Sequence, residues 1–277
     1  MDRKYTREQF LTTPPELQQK LNSPALCLID VRPVEQFARG HIPGAVHFDL
    51  FGLSLVDTSA APLKAFMHMI QHVLELRGVS ESKEVVFYEE NSGMRAARGL
   101  WFLEYFGHPK VSMLDGGFQA WKAAGYPVTT ETVAPKGASF KTSERRDVLA
   151  TADDVLQSLN KKEISILDTR SDGEYLGTQV RAARGGSIPG AIHIEWTDNL
   201  EASGKFKTNS ELKTMYDKAG ITPDKEVISY CQGGYRAAHS YVALRLLGFP
   251  RVRNYIGSWK EWGDRTDLPI ETPREKK

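Results

Sequence analysis

The 277-residue chain balances 36 Lys and Arg against 35 Asp and Glu, for a formal net charge of +1, so no global field draws it to nucleic acid or to an anionic membrane. A 40% hydrophobic, 26% charged composition belongs to a globular protein with a substantial core, and the length leaves room for two ordinary domains. Two cysteines, Cys27 and Cys231, are too few for a disulfide-stapled secreted scaffold. No stretch approaches the roughly 18 apolar residues of a membrane span, and the first 21 residues lack the apolar core of a signal peptide. A cytoplasmic, reducing location is the expectation.

Along the chain, short β-branched runs alternate with helical patterns. Leu26 to Val31 reads as a strand and Glu84 to Tyr88 as a buried one. Ala97, Trp101 and Tyr105 then lie four apart, on one face of a helix. Val133 to Asp147 is rich in Lys, Arg, Ser and Thr, contains a Pro and a Gly, and lacks helical periodicity, so it reads as a linker. Beyond it Ile164 to Thr169 and Glu226 to Tyr230 read as strands, and Ala238, Val242 and Leu246 line a helix face. Strand alternating with helix implies an α/β fold built on a mainly parallel sheet flanked by helices.

The pattern occurs twice. Leu28-Ile29-Asp30-Val31-Arg32 returns as Ile166-Leu167-Asp168-Thr169-Arg170, and His41-Ile42-Pro43-Gly44-Ala45 as Ser187-Ile188-Pro189-Gly190-Ala191. Arg95-Ala96-Ala97 returns at Arg236 to Ala238, Gly107 to Val111 at Gly248 to Val252, and Trp121 at Trp262. The order is preserved at a shift near 140 residues, far longer than a solenoid period. Each copy is therefore expected to carry its own core, with domains over 1–132 and 148–277 and a linker over 133–147.

In parallel sheets, ligands gather beyond the carboxyl ends of strands. Cys231-Gln232-Gly233-Gly234-Tyr235-Arg236 stands there, between a strand and a helix. A thiol at a helix N-terminus is biased toward thiolate. Gly233 and Gly234 allow successive N–H groups to turn inward as an anion cradle, and Arg236 adds a permanent charge at the rim. Such a thiolate suits attack on a negatively charged sulfur or phosphorus centre. The plainer alternative is an inert buried thiol beside a surface arginine. Cys27 precedes an apolar strand and reads as core, as do Trp121 and Trp262. The seven histidines show no metal-ligand spacing with the cysteines.

The Cys-initiated six-residue loop, the paired Asp-Val-Arg-like strand ends and the two Ile-Pro-Gly-Ala turns resemble the tandem-domain rhodaneses, the thiosulfate and 3-mercaptopyruvate sulfurtransferases. The resemblance covers nearly the whole chain. It implies two tandem rhodanese-like domains, of which only the second is catalytic, and a sulfur relayed as a persulfide on Cys231 without metal or organic cofactor. Gln232, Gly233, Gly234, Tyr235 and Arg236 would bind a small anionic donor, and a thiophilic acceptor such as cyanide or a thiol would discharge it. Aligned on Arg95 and Arg236, the first copy places Glu90 opposite Cys231 and so fills its own cradle with a carboxylate. A lysine at position 236 is expected to keep part of the function. Arg184 matches an arginine that binds the substrate carboxylate in mercaptopyruvate enzymes, or it is a solvated loop charge. Glu174 stands where a substrate-binding arginine is often found. Asp30 and His41 match two members of a proposed mercaptopyruvate triad, although Asp30 and Asp168 also suit strand-end caps. Gly233 supplies neither that triad's serine nor a loop lysine. Gln232 with Arg236 most resembles bacterial thiosulfate enzymes, which makes thiosulfate the expected donor and 3-mercaptopyruvate the alternative. A phosphatase or arsenate reductase, whose relatives use a Cys-x5-Arg loop one residue longer, and a non-catalytic sulfur carrier are the other readings.

Overall fold

The computed structural model describes residues 7–273; residues 1–6 and 274–277, at the two ends of the expected domains, lie outside the described residues. One five-stranded parallel sheet is made of β1 (Leu11–Thr12), β2 (Leu26–Asp30), β3 (Val46–His47), β4 (Glu84–Tyr88) and β5 (Val111–Leu114), in the order β1-β5-β4-β2-β3. The second repeats that order as β6-β10-β9-β7-β8, from β6 (Leu149–Ala150), β7 (Ile164–Asp168), β8 (Ile192–His193), β9 (Glu226–Tyr230) and β10 (Val252–Tyr255). Helices of the first copy are α1 (Arg7–Phe10), α2 (Pro14–Lys20), α3 (Val34–Arg39), α4 (Ala60–Leu76), α5 (Met94–Tyr105) and α6 (Gly117–Ala123). Those of the second are α7 (Ala152–Ser158), α8 (Asp172–Tyr175), α9 (Asn209–Lys218), α10 (Tyr235–Leu246) and α11 (Ser258–Trp262). None of the helices described is long and apolar enough to cross a membrane.

Strands β2 and β7 stop one residue before the sequence pattern does, at Asp30 and Asp168. Each aspartate turns its carboxylate back to accept the N–H two residues on, from Arg32 at 2.9 Å and Arg170 at 3.0 Å. That bond ends the extended run by competing with the ladder. The same arginines then close ion pairs with the aspartates at 2.6 Å, and both pairs are buried. Each guanidinium also donates to a carbonyl, Gly40 at 2.8 Å and Gly186 at 2.7 Å. Burying two charges is tolerated because their remaining valences are met. Asp30 and Asp168 are thus strand-end caps.

Each copy has a separate core on the outer face of its sheet, with Leu28, Phe37, Phe118 and Trp121 in one and Ile166, Trp259 and Trp262 in the other. Trp121 and Trp262 are fully buried, and their indole N–H groups donate to Pro127 and Pro269 at 2.8 and 2.7 Å. On the inner faces the expectation of two independent cores fails. A single apolar cluster runs from Phe10 and Trp101 of the first copy to Tyr241 and Ile256 of the second. Helices α5 and α10 pack on each other as well as on their own sheets. Both are therefore buried all round rather than along one stripe. The stretch read as a linker is neither helix nor strand over 133–145, yet it is strapped down. Phe140 is buried, and the N–H groups of Ser143 and Arg145 donate to Phe106 and Tyr105 at 2.9 and 2.7 Å.

A polar tie crosses between the copies. Thr58 Oγ1 donates to the Glu261 carboxylate at 2.9 Å and accepts the Ala152 N–H, the first of α7, at 2.9 Å; Tyr255 donates to Glu261 at 2.8 Å. All four residues are buried. Replacing Thr58 by valine keeps the shape and removes the hydroxyl, leaving an N–H and a carboxylate oxygen short of partners. Thr58→Val is expected to lower stability by about 1–3 kcal/mol in urea unfolding. A loss within error of zero would mean that water, not Thr58, serves these groups in solution.

Candidate active site

β9 ends at Tyr230 and α10 begins at Tyr235, so the chain has four residues in which to reverse. Gly234 makes the reversal possible in the left-handed region, at φ +82°. Its N–H donates to Cys231 Sγ at 3.1 Å, and the N–H groups of Gly233 and Ala237 are turned on the same sulfur. Burial on its own would raise the thiol pKa. The Arg236 charge and the N–H groups of Ala237, Gly233 and Gly234 outweigh it and hold Cys231 below the ordinary thiol value. Cys27, equally buried but without such donors, is pushed up to about 11 by burial.

Behind the loop, Ser258 Oγ accepts the Cys231 N–H at 3.1 Å and donates to Tyr255 at 2.7 Å. Ser258 adopts φ +53°, while its repeat counterpart Gly117 adopts φ +57°. The first copy fills this left-handed position with glycine; the second accepts the strain of a side chain there and gains a hydroxyl under the sulfur loop. Sequence reading missed Ser258, although the change from Gly116-Gly117 to Gly257-Ser258 between otherwise matched copies was the available signal.

Arg236 does not extend into an open rim. Its guanidinium grips Glu174 by two parallel bonds, Nη1 to Oε2 at 2.5 Å and Nη2 to Oε1 at 2.9 Å. Glu174 is buried and also accepts the Ser171 N–H and hydroxyl. Against the cost of burial, the Arg236 fork and the Ser171 bonds hold its carboxyl down to about 2. The guanidinium simultaneously faces the Cys231 sulfur. Glu174 thus holds the Arg236 guanidinium beside the sulfur.

The other expected residues are placed differently from one another. The Tyr235 ring is buried, and its hydroxyl donates to Leu50 at 2.6 Å and Leu53 at 2.9 Å, carbonyls of the first copy. Tyr235 therefore ties a first-copy segment over the loop rather than offering its hydroxyl to a ligand. That segment brings Ser54 Oγ to 3.2 Å from the point where a Gly233 Cβ would stand, so a side chain at 233 would have to move the Ser54 hydroxyl by a few tenths of an ångström. Gln232 donates its amide to Arg181 at 2.8 Å. Arg184 spends four of its five N–H groups on the carbonyls of Gly263 and Leu268, at 3.2 and 3.0 Å, of Trp262 at 3.0 Å, and of Arg265. It is a brace for the turn after α11. His41 is fully buried, lies flat on Phe37 at 3.7 Å, and bonds the Phe37 and Glu131 carbonyls at 2.9 and 3.0 Å. With Asp30 held by Arg32, neither residue is directed to Cys231.

The first copy's loop departs from the sequence alignment. Tyr88 pairs with Asp30 as Tyr230 pairs with Asp168, and the two tyrosine hydroxyls accept the Ile42 and Ile188 N–H groups at 3.1 Å. The residue after each tyrosine is therefore equivalent, which sets Glu89, not Glu90, against Cys231. Glu89 accepts the Arg95 and Ala96 N–H groups at 2.6 and 3.1 Å, filling its own cradle. Glu90 faces outward toward Arg32 at 3.4 Å and Lys122 at 3.8 Å. The first-copy loop is one residue longer, Glu89-x5-Arg95 against Cys231-x4-Arg236.

The rhodanese-like domain model matches residues 13–124 and again 151–265. The thiosulfate sulfurtransferase of Azotobacter vinelandii is 35% identical over 258 residues, covering 93% of this chain and 95% of that protein. The sulfur carrier protein TtuD of Thermus thermophilus is 33% identical over 98% of this chain and 99% of its own. Among solved structures, the anaerobic ergothioneine biosynthesis enzyme from Chlorobium limicola shares the fold with a TM-score of 0.85 at 23% identity, over 98% of this chain and 72% of that one. Two collinear domain matches, and relatives above 30% identity along nearly the full length, place the chain in the rhodanese family of sulfurtransferases, with two rhodanese-like domains in tandem.

Proposed function

We propose that the protein transfers the outer sulfur of thiosulfate through a persulfide on Cys231, and that the first copy is not itself catalytic. The observation that carries this reading is the sulfur's setting: a dry thiol, 1% exposed, with three N–H groups and a guanidinium turned on it. Such a cradle stabilises negative charge on the sulfur and on the atom attached to it.

In the first half-reaction the Cys231 thiolate attacks the outer sulfur of thiosulfate. The donor's S–S bond breaks, sulfite leaves with the electron pair, and Cys231 carries a persulfide anion. In the second half-reaction a thiophile such as cyanide attacks the outer sulfur, thiocyanate leaves, and the thiolate returns. The sum is a transfer without net oxidation, divided into two steps by a covalent intermediate. The first copy's equivalent position holds a carboxylate bonded to two N–H groups, which cannot take part in sulfur exchange.

Thiosulfate is favoured over 3-mercaptopyruvate by where the carboxylate-binding group went. Arg184 is occupied by four backbone carbonyls, Gly233 brings no hydroxyl, and Asp30 and His41 are bonded within the first copy. The relatives from Azotobacter vinelandii and Pseudomonas aeruginosa named thiosulfate sulfurtransferase support the same donor. Steady-state kinetics with each donor and cyanide as acceptor test this, and a higher kcat/KM for mercaptopyruvate would reverse the choice.

Incubation with thiosulfate is expected to add the mass of one sulfur atom, removable by cyanide. Cys231→Ser abolishes the gain and Cys27→Ser preserves it; sulfur that follows Cys27 would overturn the assignment. At Arg236 the paired bonds to Glu174 argue against the sequence expectation for lysine. A fork held by two parallel bonds cannot be rebuilt by a point charge. Arg236→Lys is therefore expected to lose about as much kcat/KM as Arg236→Ala, on the order of tenfold or more for a charge-assisted contact. Near-normal turnover by the lysine variant would show that charge alone suffices. Glu174, held at about 2, contributes stability that is complete above the ordinary carboxylate range, about 4.3, and disappears as pH falls through about 2. Glu174→Gln should flatten that part of the acid unfolding curve, and an unchanged acid limb would contradict the buried fork.

A further inference from the structure

We propose that Arg98, a residue of the first copy, is a positioning residue for the chemistry at Cys231: it pins the Gly234 carbonyl behind the sulfur cradle and sets a permanent positive charge there. The proposal rests on the persulfide reading of Cys231 given above. Arg98 lies on α5, is fully buried, and donates Nη1 to the Gly234 carbonyl at 3.0 Å. Gly234 is the residue whose N–H donates to Cys231 Sγ at 3.1 Å. One left-handed residue thus turns its N–H to the sulfur and its carbonyl to the arginine. Fixing the carbonyl also fixes the plane of the peptide that supplies the first N–H of α10. Asn254 donates to the same carbonyl at 3.1 Å, and the Ala238 N–H of α10 at 3.2 Å, so it is clamped by three donors. Any Cβ at 234 would stand 2.5 Å from Arg98 Nη1 and 2.9 Å from the Ile256 carbonyl. Glycine is required there as much by this clamp as by φ.

Stability does not explain the arginine. Among the described residues its Nε and Nη2 have no hydrogen-bond partner, and no carboxylate pairs with it. The faces of Phe102, Tyr235 and Trp101, at 4.6, 5.1 and 5.2 Å, offset part of the cost. A buried, poorly paired charge still costs stability, and an unmet buried donor calls for a reason. Burial pulls the guanidinium down to about 10, and the groups whose fields oppose that fall are Tyr235 and Cys231. Among the described residues, the cation whose charge acts on the sulfur from its own copy is Arg236 on α10, itself paired with Glu174 of α8; Arg98, bonded to the Gly234 carbonyl, feels the Cys231 charge from across the interface.

The repeat supplies an internal comparison. The counterpart of Arg98 in the second copy is His239, three residues after Arg236 as Arg98 is three after Arg95. His239 reaches across in the opposite sense, bonding the Ser92 carbonyl of the first-copy loop at 2.8 Å. Burial drives its pKa down to about 3, so it is neutral. The pseudo-symmetric crossing of α5 and α10 therefore places a cation behind the loop that carries the thiol. A neutral ring stands behind the loop already filled by Glu89. If each residue served only to lock the other copy's loop, the charge would have no reason to fall on one side.

The test uses the full chain in a Cys27→Ser background, so that one thiol titrates. Thiolate absorbance against pH, melting temperature and thiosulfate–cyanide kinetics are followed for Arg98→Met, Arg98→Gln and Arg98→Lys. Loss of the charge is expected to move the Cys231 titration up by about one pH unit, a roughly tenfold smaller thiolate fraction below the pKa, with a matching fall in kcat/KM. Melting should hold or improve in Arg98→Met, because removal of a poorly paired buried charge is often neutral or stabilising. Arg98→Gln keeps a donor for Gly234 and loses the charge; its titration should rise as well, which preserves the test if the methionine variant does not fold. Arg98→Lys should titrate close to the parent. An unmoved titration in both neutral variants, with melting lowered, would reduce Arg98 to an interface prop and overturn the proposal. Failure of the parent protein to load sulfur from thiosulfate would instead strike the donor reading and leave the titration result to decide Arg98.

Discussion

The chain must leave the end of β9 and enter α10 within four residues while turning several N–H groups onto one sulfur, and most of the surrounding structure serves that reversal. A glycine in the left-handed region is the pivot, and its two peptide groups are held by unrelated parts of the molecule: the sulfur on one side, Arg98 and Asn254 on the other. Ser258 holds the Cys231 N–H from below, and the N–H groups of Trp259 and Lys260 take the Cys231 and Gln232 carbonyls at 2.9 Å. With the Cys231 and Gly234 backbone groups and the Gln232 carbonyl held in place, the loop is set before charge appears on the sulfur, which is the condition under which fixed dipoles act most strongly.

Duplication gave two such turns, and their difference lies in what completes each cradle. In the first copy the carboxylate of Glu89 accepts the helix N–H groups directly, yet removal from water pushes it up to about 7. The second copy leaves the cradle to a sulfur and draws its cations from α10 and from α5 of its neighbour. Because α5 and α10 are packed on each other in one continuous core, the supporting copy is part of the site's wall. Tyr235 bonding to Leu50 and Leu53 is the clearest sign of it.

Much of the architecture was legible because a collinear repeat reports fold independently of local propensity. The Asp-x-Arg strand ends, the core tryptophans and the position of Cys231 all read directly. What stayed hidden has physical causes. Hydrophobic spacing on α5 marks one buried face and says nothing of the second face covered by α10. Alignment on Arg95-Ala96-Ala97 conceals a one-residue insertion upstream, which is why Glu90 stood in for Glu89; only the strand register separates them. Arg236 looked free because its partner, Glu174, lies 62 positions away. Arg184 looked like a ligand because four carbonyls converging in space leave no trace in sequence. Ser258 and Arg98 required the comparison of one copy with the other, residue by residue, at places where the motif itself is silent.

On the proposed persulfide reading, the burial of Cys27 sets how a sulfur held at Cys231 would depart. The chain has two cysteines, and Cys27 sits in β2 of the other sheet, aimed at the Arg77 carbonyl at 3.6 Å and ionising only near 11. No internal thiol can act as a resolving cysteine, so a loaded sulfur cannot be shed by closing an intramolecular disulfide. Discharge would then be bimolecular, and the lifetime of the loaded form would depend on the concentration of its acceptor as well as on the cradle that holds the sulfur. The same isolation applies to damage: a sulfenic acid formed at Cys231 would find no neighbour to trap it, and its rescue before further oxidation would depend on a thiol arriving from solution.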